Sequence, residues 1–413
     1  MPQRTLPPFS PLVEHFGLDR DVVFLNHGSF GAVPLSVLRR QDEIRRRVEL
    51  ESVRFFVEEL EPMLDTVRAK CAPFVGSDPE DFAFVHNATT GVNAVVRSLK
   101  FKPGDELLVG NQEYNACNNA FRFVAEQWGA TVRSVEAPFP IASADEFADA
   151  VVGAVTERTK LVLLSHITSP TGIILPVERI IREVQARGAD VLLDTAHGPG
   201  FVPLDIAKLG AAYTTGNFHK WCCAPKGSAF LHVRRDRQEG IHPTVISHGY
   251  NSVRSGRSKF RLEFDFLGSI DATPWLVTGD AIDAIPAMVL GGWAEVIRRN
   301  RALAIQARDL LCAALGTRPP APDSMLGSLA AVLLPDDSPE RTERLAKRPT
   351  RYMDALQDRL MDAWKIQVPV FRIVIGGKAL RICRISAQVY NSIEQYEYLA
   401  KALVEELAGE RKL

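Results

Sequence analysis

The chain has 413 residues with 49 lysines and arginines against 50 aspartates and glutamates, so it lacks the basic field that would hold nucleic acid or an anionic membrane surface. Its length exceeds one small core and implies a large domain of about 200 to 250 residues with a smaller one attached. Six cysteines with no CxxC pair and no metal-ligand spacing suggest neither a disulfide framework nor a zinc site, and a reducing cytoplasm is the expected location.

The first 20 residues read as a proline-bearing arm and a short helix, without the apolar core of a secretory signal, and no apolar run reaches the roughly 18 residues of a membrane helix. A brief strand at 22–25 then runs into a tight polar loop, Asn26, His27, Gly28, Ser29, Phe30 and Gly31. Polar side chains after a strand end are where ligand contacts tend to sit. Pro34 opens one long helical stretch to about residue 73, dense in Arg and Glu, with one solvated face.

From 81 to 233 apolar strand-like runs alternate with helical ones: FAFV at 82, ELLV at 106, TVRSV at 131, LVLL at 161, VLLD at 191 and AFLHV at 229. Strands apolar on both faces predict an α/β fold with a mostly parallel central sheet covered by helices on both sides. Ligands of such sheets bind at the carboxyl ends of the strands, so the residues after each run carry the information. After FAFV, Asn87, Thr89, Thr90 and Gly91 open a helix whose free N–H groups suit a phosphate, although for a TTG taken alone an N-capping role is the better reading. After ELLV, Tyr114 offers a ring to lay over a flat heterocycle. After VLLD come Asp194 and His197; a carboxylate at the end of an apolar strand is costly unless it meets a cation, and a protonated pyridine nitrogen would serve.

One strand further on, YTTGNFHKW places Lys220 behind Asn217 and His219. A lysine there is poorly placed as a solvated surface charge; held in a pocket, its amine becomes a nucleophile for a carbonyl. Acid, lysine and a phosphate-type helix start are the parts that pyridoxal phosphate requires. No GxGxxG follows a strand, and neither GxxxxGK[ST] nor HExxH occurs, so nucleotide and zinc sites are disfavoured. Residues 240–279 read as a long irregular segment, which inside a compact protein is functional or lies at an interface. Beyond about 280 come a helix to 301, a strand at 328, a helix over 341–364, strands at 366 and 379, and a final helix. Arg384, ending an apolar strand, either forks onto a substrate carboxylate or pairs with a protein acid.

In this order, LNHGSFGAVP, NATTGVN, EYNA, SHITSPTG, DTAHGPG, TTGNFHKW and RISAQVYNS resemble the class V aminotransferase family of pyridoxal phosphate enzymes, most of all its isopenicillin N epimerase-like branch, over nearly the whole chain. The resemblance implies the fold type I large domain over residues 36–280, an N-terminal arm over 1–35, a small α+β domain over 281–413 packing with that arm, and a homodimer with active sites at the subunit interface. It implies that Lys220 forms a Schiff base with pyridoxal 5'-phosphate and moves the substrate proton, that Asp194 keeps the pyridine nitrogen protonated, and that His197 reaches the ring's phenolic oxygen. Thr89, Thr90, Asn217 and His219 fall at phosphate positions, Ser269 reaches the partner subunit's phosphate, and Tyr114 replaces a stacking histidine. Arg384 matches the substrate carboxylate clamp, with Asn26 and His27 on the same side. No cysteine matches the mobile persulfide cysteine of desulfurases. Epimerisation comes first, with Tyr114, His27 and His248 as candidates for a second acid; a C-S lyase, an aminotransferase and a non-catalytic binding protein on the same scaffold are the alternatives.

Overall fold

The computed structural model describes residues 4–335 and 338–412. The first strand, β1 (Val23–Phe24), pairs with a strand more than 300 residues later and ties the N-terminal arm to the C-terminal part of the chain. Seven strands then build the central sheet: β2 (Phe82–Val85), β3 (Glu106–Gly110), β4 (Thr131–Val135), β5 (Thr159–Ser165), β6 (Asp190–Thr195), β7 (Tyr213–Asn217) and β8 (Ala229–Val233). Their order is β2-β8-β7-β6-β5-β3-β4. All neighbours are parallel except β8, which runs antiparallel to both β2 and β7. The expected mostly parallel sheet is therefore present, with all six predicted runs in it.

Every residue of β2, β3, β7 and β8 is buried, as strands sandwiched between two helical layers must be, whereas β4 at the edge is open to solvent over all but its last residue. One apolar layer gathers Phe147, Ile180 and Val184 against Val162, Val191 and Leu193. The opposite layer packs Val92, Val95, Phe121 and Val124 onto Leu107, Leu163 and Leu231. Parallel register sets Ser165 opposite Asp194, Asp194 opposite Thr215 and Thr195 opposite Gly216, so the carboxyl ends of the central strands form one polar rim.

The remaining strands are β9 (Leu329–Leu333), β10 (Ile366–Gln367), β11 (Val370–Ile375) and β12 (Lys378–Ser386). The sheet β11-β12-β9 is antiparallel, and β10 is the partner of β1. Residues of the helices Gly292–Leu315 and Ile393–Glu410 share one core with β9, β12 and the β1–β10 pair.

Two helical expectations differ from the structure. The stretch after Pro34 is broken at Glu51: a helix Leu35–Leu50 gives way to Ser52–Arg54, a π-helical turn Phe55–Glu59 and a helix Leu60–Phe74. The carboxylate of Glu51 re-caps the chain by accepting from Arg54 N, an interaction that amphipathic spacing does not reveal. The stretch 341–364 is two helices, Pro339–Ala346 and Ala355–Trp364, because Pro349 cannot continue the first and Asp354 caps the second. The strands expected at 366 and 379 are β10 and β12, and β11 between them, which pairs with β12 as a hairpin, is an addition.

The helix Ala88–Ser98 lies so close to β7 that a Cβ on Gly91 would sit 2.2 Å from Thr215 Oγ1. Thr215 is itself fixed, its hydroxyl donating to the carbonyl of Phe230 at 2.7 Å. Gly91→Ala is therefore expected to lower unfolding stability by about 1–3 kcal/mol, read as a shift in urea midpoint. A neutral substitution would mean that the helix can lift off the sheet.

Candidate active site

The rim at the strand ends collects most of the singled-out residues. Lys220 lies three residues past β7 and is partly buried, while Asp194, the penultimate residue of β6, is buried. Asp194 Oδ1 accepts from Ala196 N at 2.8 Å and Oδ2 from the Cys117 thiol at 3.4 Å. Burial raises its pKa, opposed by its own hydrogen bonds and by Lys220. Among the described residues no cation pairs with it directly, so its carboxylate would be stabilised by a cationic ligand group. Burial also brings Lys220 down to about 8, against the pull of Asp194 and with help from Arg384.

His197 sits between these groups. Its Nε2 lies 3.0 Å from Lys220 Nζ, and its Nδ1 accepts from the indole N–H of Trp221 at 3.2 Å. Burial, followed by Lys220 and Arg384, holds its pKa well below the ordinary histidine value.

The helix Ala88–Ser98 starts at the same rim. Its first N–H, on Ala88, donates to Asn217 Oδ1 at 2.8 Å. Thr90 spends both its N–H and its hydroxyl on Asn87 Oδ1, at 2.8 and 3.1 Å. Thr89 N–H meets no protein acceptor among the described residues. The two threonines thus divide the work: Thr90 completes the cap, and Thr89 keeps a donor for an anion at the positive end of the helix. The Asn217 amide nitrogen makes no protein hydrogen bond among the described residues and faces the same task. His219 Nδ1 donates to the carbonyl of Ser228 at 2.9 Å, leaving Nε2 for a ligand, and burial brings its pKa down to about 4.

Arg384 is buried at the end of β12. Its Nη2 donates to Ser29 Oγ at 2.8 Å and its Nη1 to the carbonyl of Ser169, but its Nε has no partner and no acid pairs with it among the described residues. Of the two readings of this arginine, pairing with a protein acid therefore falls away. Burial lowers its pKa to about 10, partly offset by Tyr114. Tyr114 itself is 49% exposed at the N-cap of the helix Asn115–Trp128. Asn26 leaves a second orphan, a buried Oδ1 without a donor.

Two expected residues are placed elsewhere. His27 is fully buried with both nitrogens occupied: Nδ1 accepts from the Tyr390 hydroxyl at 2.7 Å, and Nε2 donates to the carbonyl of Lys220 at 3.0 Å. It props the lysine's backbone instead of offering a group to substrate. His248 is exposed beside Phe266 and does not meet Lys220 within this chain, whereas Ser269, expected at the partner subunit's phosphate, is exposed in its turn. Composition and spacing did not reveal Ser29 and Ser169 as holders of Arg384, nor Trp221 as a partner of His197. Also unforeseen was buried Glu113, which accepts from the N–H and hydroxyl of Ser165 and whose pKa burial pushes up to about 8. The string RISAQVYNS did hold a signal for Tyr390, two residues from Gln388 and joined with it through His27 in one buried network.

All six cysteines are free and buried, and burial raises the thiols of Cys222, Cys223 and Cys383, so none offers a ready thiolate.

The family model for aminotransferase class-V matches residues 45–320. The chain belongs to that family. It is 33% identical over 406 residues to an isopenicillin N epimerase of Amycolatopsis lactamdurans, covering 95% of this chain and 97% of the relative. It is 30% identical to a putative L-cysteine desulfhydrase 1 of Oryza sativa subsp. japonica, covering 92% and 82%. Among solved structures, the cystine C-S lyase C-DES in complex with its product cysteine persulfide superposes with a TM-score of 0.75 at 21% identity, covering 94% of this chain and 98% of that one, a likeness of fold. The chain has the fold of type I pyridoxal phosphate enzymes and is a pyridoxal phosphate-dependent enzyme. The residues present fit that cofactor: a lowered amine, an acid without a cation, and an orphan N–H at a helix start.

His27 makes the fold sensitive to acid. Burial is the main cause that lowers its pKa from 6.5 to about 3, so below pH 6.5 the unfolded chain takes up a proton that the folded one refuses. Its contribution is complete above 6.5 and is lost as pH falls toward 3. His27→Gln, though less stable at pH 7.5, is expected to lose about 2 kcal/mol less than the parent between pH 7.5 and 5 in urea unfolding. Equal losses would show that His27 is protonated in the fold.

Proposed function

We propose that this enzyme moves a proton at the α carbon of an amino-acid substrate and releases the epimerised product. The observation that carries this reading is Arg384, a buried guanidinium with an unpartnered Nε and no acid, within electrostatic reach of both Lys220 and His197. A buried cation without an anion is costly, and a substrate carboxylate received by the planar fork removes that cost.

Bound pyridoxal phosphate supplies an aldehyde for the amines and an electron sink for charge that develops at the α carbon. The chain's own residues do the rest. Thr89 N–H and the Asn217 amide hold the phosphate, with Thr90 fixing the helix start, and His219 donates from Nε2 once the phosphate's negative charge holds its ring protonated. Asp194 holds a proton on the ring nitrogen, and Cys117 and Ala196 N–H keep its oxygens oriented. His197 donates to the ring oxygen and Tyr114 covers the ring. Arg384, held by Ser29 and Ser169, orients the substrate so that its α hydrogen faces the Lys220 amine, which takes the proton. Asn26 lies on the same side with a free oxygen. Epimerisation then needs a proton from the opposite face, and Tyr114 is assigned that role, because both nitrogens of His27 are occupied and His248 lies out at the surface.

A lyase outcome, expelling a β-substituent from the same intermediate charge, is the second reading and is supported by the similarity to desulfhydrases. Buried cysteines speak against persulfide transfer in either case. Exposed Val53, Val57 and Val253 support a second copy of the chain as partner, with Ser269 reaching toward its site. The protein is assigned to the cytoplasm on its unpaired thiols; among the described residues no helix is long and apolar enough to cross a membrane.

Incubation with candidate amino acids in deuterated water tests the reading: α-deuterium incorporation with inversion and no keto acid is expected. Pyruvate with sulfide or thiol release would move the assignment to the lyase, and a keto acid alone to transamination. Arg384→Lys should lower kcat/KM by roughly 10- to 100-fold, mainly through KM, while leaving the cofactor's visible band in place. An unchanged KM would remove the clamp role.

A further inference from the structure

Trp221 follows the reactive lysine, is fully buried, and is not among the residues assigned to cofactor or substrate. Its ring is wedged between Phe201, centroids 5.1 Å apart, and His27, at 5.0 Å. The loop carrying His197 comes close because Gly200 adopts φ +78° and a Cβ there would lie 2.9 Å from the Trp221 carbonyl carbon. The indole N–H is thereby aimed at His197 Nδ1, 3.2 Å away.

An indole nitrogen only donates. Nδ1 of His197 must therefore be the bare nitrogen, and a neutral imidazole with a bare Nδ1 carries its proton on Nε2. That proton points at Lys220 Nζ, 3.0 Å distant, and an N–H donor can meet an amine only through the amine's lone pair. An ammonium has no lone pair and would confront the Nε2 proton with its own.

We propose that Trp221 is a positioning residue that locks His197 in the Nε2–H tautomer and thereby keeps the Lys220 amine unprotonated, ready to capture the cofactor aldehyde. The other charged or titratable groups facing Lys220 are Asp194 from β6, Arg384 from β12 and Cys117 from the helix Asn115–Trp128. Asp194 favours the ammonium and Arg384 opposes it, so the tautomer acts between two competing charges. Those facing His197, besides Lys220, are Arg384, His27 and His219. In Trp221→Phe the ring loses its N–H donor, His197 can turn its proton to Nδ1, and a bare Nε2 then accepts from an ammonium. The lysine's pKa must rise. The inference rests on Lys220 being the amine that captures the aldehyde.

The test uses the full chain stripped of cofactor. Pyridoxal phosphate is added over a pH series, the adduct is fixed by borohydride, and label at Lys220 is counted by mass spectrometry. Trp221→Phe is expected to move the pH midpoint of capture upward by about one unit, a tenfold loss of rate below the midpoint. A loosened pocket would also raise the midpoint, so the same change is made in a His197→Gln background, where the inference predicts no further shift. A shift that persists without His197, or an unmoved midpoint, overturns the proposal. Should Trp221→Phe fail to fold, histidine-selective 15N spectra of the parent chain decide: a protonated Nε2 and bare Nδ1 on His197 are expected, and the reverse overturns the proposal. No label at Lys220 in the parent chain would overturn both this inference and the lysine's role, whereas label with the wrong tautomer sinks this inference alone.

Discussion

An amine and a carboxylate lie within electrostatic reach of each other here without pairing. Lys220 and Asp194 influence each other's titration, yet neither forms a direct ion pair among the described residues. Were they to close on each other, the amine would be held as an ammonium and the acid would lose its vacancy for a ring cation. The register of β6 and β7 prevents this. Asp194 is anchored to Ala196 N–H and the Cys117 thiol on its own side, and Lys220 leaves β7 three residues beyond the strand and turns to His197.

Holding the two apart requires rigid surroundings on every side. The backbone of Lys220 is tied to His27, His27 to Tyr390, and Tyr390 belongs to the segment that follows Arg384 on β12. Gly31 allows that approach, since a Cβ there would lie 2.7 Å from the Lys220 carbonyl. The amine's position and Arg384, the proposed carboxylate clamp, are thus braced by one network of N-terminal loop, lysine loop and C-terminal sheet. On the proposed reading, a shift of the C-terminal sheet would be felt at both ends of a bound amino acid, coupling substrate binding to the geometry of proton transfer.

Much of the fold was legible because the strands are buried on both faces: an apolar run of four or five residues bounded by polar turns identifies such a strand, and all six predicted runs lie in the sheet. The helix breaks at Glu51 and Pro349 were less visible. One depends on a side-chain cap, and the other lies in a charged stretch whose amphipathic pattern continues across it. In the site, Lys220, Asp194 and the Asn87–Thr90 start stood out since each follows a strand at the rim where ligands bind. Ser29, Ser169 and Trp221 did not, because a serine or tryptophan has no distinctive pattern until a particular partner lies within 3 Å or so.

Residue order alone determined that an acid and a lysine would emerge at neighbouring strand ends, since alternating strands and helices leave a parallel sheet little other choice. It also determined that an arginine would end a strand near the C-terminus. Which of these charges would be left without a partner was decided by the tertiary structure. Arg384 might have met an acid, and His27 might have faced a ligand; packing put serine and carbonyl oxygens around the first and a tyrosine and a backbone carbonyl around the second. Pairing is a matter of a few ångströms between segments hundreds of residues apart, and local sequence carries no measure of that distance.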